Sequence, residues 1–144
     1  MKRHQLQPDD PTRLFPSNNR PWRRKWFDAF HGLCQATYRQ SSFYVHFFAA
    51  VAVIAAAWFL GTFDTVRWAL LVLCITMVIG CEMLNTSIET LAKAITSTHD
   101  PLVGRALDIA GGAVLVFSFG AAVVGTILFL ESLTLLFYSS TSTT

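Results

Sequence analysis

Charge is scarce in this chain, and its distribution is uneven. Asp, Glu, Lys and Arg make up 14% of the 144 residues, against roughly 25% in soluble globular domains. Gln40 to Phe63 contains none of them, and neither does Ile109 to Leu130. Each run is long enough to cross a bilayer core, which takes about 20 residues. A soluble globular class is therefore excluded, and an integral membrane protein is implied. Cysteine is also sparse. Cys34, Cys74 and Cys81 show no metal-ligand spacing and no pairing framework, so they read as small buried hydrophobes. The first residues lack an apolar core followed by a cleavage site, so the first span is expected to serve as its own insertion signal. No internal repeat is evident.

The basic residues that are present lie mostly on one side of the spans. Lys2, Arg3, Arg13, Arg20, Arg23, Arg24, Lys25 and Arg39 precede the first run, and none follows Glu131. Between the first and second spans only Arg67 occurs, opposite Asp64, while Lys93 and Arg105 flank the next connection. Positive charge marks the cytoplasmic side. The expected topology is a multi-pass protein of the cytoplasmic membrane with a cytoplasmic N-terminus, a short outer loop, a cytoplasmic second loop and an outer C-terminus. A basic arm beside a span serves topology and anionic lipid, so no nucleic-acid partner is expected.

The expected architecture is all-α. Residues 1–21 contain Pro8, Pro11, Pro16 and Pro21 among polar neighbours and form a tail outside the folded part. A membrane domain is expected over 22–138, followed by a polar tail over 139–144. Trp22, Trp26, Phe30, Leu33 and Thr37 recur at helical spacing between basic residues, which predicts an amphipathic interfacial helix over about 22–40. Three spans follow, over about 43–60, 66–95 and 101–130. Trp58 and Trp68 flank the first turn as interfacial anchors, and Asp100-Pro101 reads as an N-cap and first helical position. His46 lies in an apolar run and reads as a buried, hydrogen-bonded histidine. Ser118 and Thr126 are expected to bond back to their own helix.

The second span carries the most informative residues. Its uncharged part, Trp68 to Cys81, is too short to cross alone, so the helix must continue through Glu82, Asn85 and Glu89. Positions i, i+3 and i+7 fall within roughly 60° of one another on a helix, so the two acids and the amide form a single polar stripe. Ionisable groups at such depth are costly and usually functional. A stripe of this kind can hold a metal, a phosphate or a reacting hydroxyl. Three spans are few for hiding Glu82, Glu89 and Asp108 from lipid, and Gly104, Gly111 and Gly112 permit close helix approach. A homo-oligomer is therefore expected. The structural alternative for the acids is ion pairing across subunits with Lys93 or Arg105. For Asp108 it is complementing the dipole of a helix start.

Two segments carry a resemblance. Cys81-Glu82-Met83-Leu84-Asn85-Thr86-Ser87-Ile88-Glu89, followed by Arg105-Ala106-Leu107-Asp108-Ile109-Ala110-Gly111-Gly112-Ala113-Val114, resembles the small prokaryotic diacylglycerol kinase and undecaprenol kinase family, over about Phe27 to Phe129. That family's signature looks like E-x-x-N-[ST]-A-I-E, a short loop, then A-K-D-x-A-[AS]-[AG]-A-V. The resemblance implies a homotrimeric membrane enzyme with sites shared between subunits, which transfers the γ-phosphoryl of ATP to a lipid hydroxyl with magnesium. It implies that Glu82 is the general base, supported by Asn85. It places Glu89 on the ATP-bound metal and Asp108 near the nucleotide. Phosphoryl transfer mostly needs positioning and charge neutralisation, and magnesium commonly uses one or two carboxylates besides phosphate oxygens.

The chain departs from that pattern at four places. Gln40, in Gln40-Ser41-Ser42-Phe43, replaces the family's other metal-binding Glu; its amide oxygen can still ligate but brings no charge. Leu107 replaces the Lys of the Lys-Asp pair. Lys93 stands where the family usually has Asp. Asp100 stands where a loop His often precedes Pro-Leu, with His99 beside it. The implied metal set is Glu89 and Gln40, and the implied nucleotide set is Glu89, Asp108, His99, Asp100 and Lys93. Lys93 or Arg105 is expected to supply the charge missing at Leu107; the plainer reading of Lys93 is a lysine snorkelling to the interface. Two further readings compete with a lipid kinase. One is a catalytically impaired member acting as a lipid-binding membrane oligomer, supported by Gln40 and Leu107. The other is a small ion-conducting oligomer.

Overall fold

The computed structural model describes residues 21–38, 41–98 and 100–141. Every regular element among them is an α-helix: α1 Trp22–Tyr38, α2 Ser41–Leu60, α3 Thr65–Ile95 and α4 Pro101–Thr141. The last three are long and apolar enough to cross a membrane. A helix satisfies its backbone polar groups internally, the condition for spanning hydrocarbon. The all-α, three-span class expected from the sequence is the class observed, that of a multi-pass membrane protein.

The chain divides after Cys34 into two units. In the first, the Pro21 carbonyl accepts hydrogen bonds from the N–H groups of Arg24 (2.9 Å) and Lys25 (3.3 Å) and so starts α1. Trp22, Trp26, Phe27 and Phe30 are exposed on this helix. The Lys25 ammonium lies 5.5 Å from the Trp22 ring centroid, within cation–π range.

In the second unit, local chemistry fixes each turn. After Leu60 the chain leaves α2 through Gly61 at φ 66°, a left-handed conformation that glycine adopts without a Cβ penalty. Asp64 then caps α3, accepting a 2.8 Å bond from the Arg67 N–H. At the far end Thr96 is extended. The next cap is Asp100, whose Oδ1 accepts from the N–H groups of Leu102 (2.8 Å) and Val103 (3.3 Å). Pro101 begins α4, where its missing N–H leaves nothing unpaired. One boundary differs from expectation. α4 continues to Thr141 rather than ending near Leu130, so Ser139 to Thr141 are helical. No glycine or proline follows Leu130 to stop it, and Leu133, Leu135, Leu136 and Phe137 keep the segment apolar.

α3 packs chiefly on α4, with α2 beside both. The packing nucleus is Ala57, Leu71 and Leu128, one residue from each helix, with Val53, Ile75, Val124 and Phe129 against it. Toward the α2–α3 turn the rings of Trp58 and Trp68 meet edge to face at 6.5 Å. Phe63 lies 5.7 Å from Trp68 and 5.3 Å from Phe129. Beside them the Arg67 guanidinium sits 3.4 Å from Glu131 Oε2 and 3.6 Å from Asp64 Oδ2, and it donates to the Thr62 carbonyl at 3.3 Å. The α2–α3 end is thus tied by aromatic and ionic contacts together. Among the described residues Gly104, Gly111 and Gly112 are not used for close approach, since a Cβ at any of them meets no heavy atom there within 4 Å. Only 11% of each spanning window is buried, so most helical surface is left for lipid or other chains.

The nucleus and the cap predict different costs. Leu71→Ala opens a void between three helices and is expected to lower stability by about 2–5 kcal/mol. Asp64→Ala loses an N-cap worth about 1 kcal/mol. Unfolding of both variants in detergent micelles measures the order, Leu71→Ala being the more damaging.

Candidate active site

Along α3 the polar stripe changes character from one turn to the next. Glu82 comes first and is 2% exposed, the most deeply buried charged residue among those described. A carboxylate withdrawn from water is tolerated only with compensating polar contacts. One turn on, the Asn85 side-chain amide donates a 3.0 Å bond to Glu89 Oε1. One turn further, the Lys93 ammonium lies 3.9 Å from Glu89 Oε2. Glu89 therefore presents one oxygen to an amide and the other to a cation. The hydroxyls between them are satisfied locally: Thr86 donates to the Glu82 carbonyl at 3.0 Å, Ser87 to that of Met83 at 2.9 Å and Thr90 to that of Thr86 at 2.8 Å. Such back-bonding hides polar side chains on an apolar helix.

Where α3 turns into α4, a cavity of about 360 Å³ opens. Glu89, Ala92, Lys93 and Thr96 line one wall, at the spacing of a single helical face. Thr98 and Asp100 close the loop side, and Val103, Gly104 and Leu107 form the α4 wall. Glu89, Lys93 and Asp100, assigned to the nucleotide from sequence, are thus brought to one cavity. Asp100 also spends Oδ1 on capping α4. Asp108 is exposed and off the wall, and its neighbour Leu107 lines the cavity instead, with Val103 and Gly104. Arg105 is exposed and off the wall too. Gln40 and His99 lie outside the described residues.

Among the described residues no group of three or more His, Cys, Asp or Glu comes together. That excludes, within them, a resident cage built wholly of such ligands.

A second space lies toward the other end of α3. It is an apolar cleft of about 560 Å³ between α2, α3 and α4. Small residues open it, Ala49 and Ala50 on α2 and Ala121, Ala122 and Gly125 on α4. Its α3 wall ends at Val78 and Ile79, one turn before Glu82. His46, read from sequence as buried and hydrogen-bonded, is half-buried on the cleft wall. Thr126 bonds back to the Ala122 carbonyl at 2.8 Å as expected. Ser118 does not: its buried hydroxyl lines the cleft and has no hydrogen-bond partner among the described residues. Sequence reasoning missed this cleft, although the clustering of alanine and glycine in the first and third spans was its available signal.

Residues 28–129 match the sequence model of the family described as prokaryotic diacylglycerol kinase. The chain is 33% identical over 110 residues to the undecaprenol kinase of Bacillus subtilis, covering 76% of this chain and 89% of that relative. It is 31% identical over 149 residues to a diacylglycerol kinase of Synechocystis sp., covering 92% of this chain and 85% of that one.

The burial gradient along α3 is open to measurement. In a background lacking Cys34, Cys74 and Cys81, single cysteines at positions 82 and 93 are expected to react with a polar maleimide at very different rates. Lys93→Cys should label rapidly and Glu82→Cys slowly or not at all.

Proposed function

Because the chain belongs to the prokaryotic diacylglycerol kinase family, we propose that it is an ATP-dependent lipid kinase acting on diacylglycerol or undecaprenol. The observation that carries this reading is the buried Glu82 carboxylate, set on α3 between an apolar cleft and the cavity that Glu89, Lys93 and Asp100 line. The acceptor lipid enters sideways from the bilayer and lays its hydrocarbon in the cleft, with its hydroxyl at Glu82. Glu82 takes the hydroxyl proton as the lipid oxygen bonds to the γ-phosphorus. The bond from that phosphorus to the β,γ-bridging oxygen breaks, leaving lipid phosphate and ADP.

Asn85 orients Glu89 through the 3.0 Å bond between them. Glu89 would hold magnesium, with Gln40, expected from the sequence, as the second ligand. Magnesium, when bound, neutralises phosphate charge as it redistributes toward the leaving group. Lys93, Asp100, His99 and Asp108 make up the nucleotide side. The working unit is a homotrimer in the cytoplasmic membrane, with α1 in the interface and the N-terminus cytoplasmic. The large unburied surface of the spans supports association.

The test is turnover by purified protein with ATP, magnesium and each lipid in mixed micelles. Glu82→Gln is expected to lower kcat roughly 10²- to 10⁴-fold without unfolding the protein. Lipid phosphorylation no greater than that of Glu82→Gln would overturn the kinase reading. Nucleotide binding without turnover would favour the catalytically impaired, lipid-binding oligomer instead. A second variant separates the two spaces. Position 125 has room for a side chain, so Gly125→Phe fills the cleft, and it should raise KM for the lipid several-fold while leaving KM for ATP unchanged.

A further inference from the structure

The described wall of the α3–α4 cavity carries a single cation, Lys93, facing Glu89 and Asp100. A phosphate chain entering that space meets two carboxylates, so it needs positive charge from the protein as well as from its metal. Arg105 does not line the cavity, and the α4 wall offers Leu107. Lys93 is also weakly committed to the fold. Its side chain is 80% exposed, and at 3.9 Å its contact with Glu89 is longer than a hydrogen bond; exposed pairs of this kind contribute little to stability.

We infer that Lys93 is a phosphate-binding residue for the phosphoryl donor, exchanging Glu89 for the donor's phosphate oxygens when the site fills. In the empty cavity Lys93 balances the Glu89 carboxylate. In the filled one Glu89 turns to the metal and Lys93 to the phosphates, so neither state strands a charge. The inference rests on the lipid-kinase reading for the identity of the donor. It separates the two cations that the sequence leaves as alternatives, because only Lys93 reaches the cavity.

The test is equilibrium binding of a non-hydrolysable ATP analogue with magnesium and no lipid, using the full chain in detergent. Lys93→Met is expected to weaken binding about tenfold, the scale of one charge-assisted hydrogen bond. Lys93→Arg should bind within about threefold of wild type on the same scale, and Arg105→Met should match wild type. A lysine on the opposite wall should compensate, so Lys93→Met with Leu107→Lys should recover most of the lost affinity. In steady state Lys93→Met should raise KM for ATP and leave KM for the lipid unchanged.

Wild-type affinity in Lys93→Met overturns the inference, as does a loss that appears in Arg105→Met instead. A lowered melting temperature in Lys93→Met, with binding that Lys93→Arg does not rescue, marks a structural lysine and overturns it too. If wild type binds the analogue in a Lys93-dependent way yet phosphorylates neither lipid, the kinase reading falls while the phosphate-binding role of Lys93 stands. If wild type turns over lipid and Lys93→Met does so with unchanged KM for ATP, the reverse holds.

Discussion

A carboxylate cannot lie bare in hydrocarbon, and α3 carries two of them past the point where its uncharged segment ends. The helix manages this by grading their surroundings. Glu82 is enclosed, and Glu89, two turns nearer the loop, is bonded to Asn85 and faces Lys93. The intervening threonines and serine turn their hydroxyls back onto the helix. Polarity therefore rises stepwise from the apolar middle of α3 to its loop end, and the side chains best suited to chemistry occupy the steps. An unpaired charge in a low-dielectric setting costs far more than one in water, so this order constrains everything packed around it.

The opposite end of the helices provides the rigidity that such an arrangement needs. Arg67 ties the start of α3 to Glu131 on α4 and to the turn before it, and Phe63, Trp68 and Phe129 stack alongside. Ala57, Leu71 and Leu128 then close the three helices on one another. Beyond that nucleus small side chains take over and the helices leave space between them. Tight packing at the α2–α3 end and open packing beyond it are two consequences of one distribution of side-chain size.

Much of this is written in local sequence. The charge-free runs dictate membrane helices because nothing else satisfies the backbone there, and Asp64 and Asp100 act as caps through contacts three residues away or fewer. The stripe of Glu82, Asn85 and Glu89 needs only helical geometry to be seen. The end of α4 was harder, since polarity suggested a stop that no glycine or proline enforces. Harder still were features that depend on which residues of separate helices meet. The cleft requires three helices at once. The unpartnered hydroxyl of Ser118 requires knowing what its neighbours leave open. The placement of Leu107, rather than Asp108 or Arg105, on the cavity wall depends on the rotation of α4 about its axis, which no spacing rule fixes.

On the proposed reading, two unlike substrates share one helix. Along α3, Ile79 closes the apolar cleft, Glu82 follows by three residues and Glu89 opens the α3–α4 cavity seven residues later. At 1.5 Å per residue these steps are roughly 5 Å and 10 Å along the helix axis, and on the proposed reading the phosphoryl group is transferred between the acids. An amphiphile and a polyphosphate have no common solvent. A site that joins them must sit at the boundary of two environments, with the reacting hydroxyl drawn from the apolar side and the phosphate from the polar one. Exclusion of water at that boundary also protects the phosphoryl group from hydrolysis. On the proposed reading, the burial of Glu82 is therefore more than a tolerated expense: a base left in open water would hand the phosphate to the solvent as readily as to the lipid.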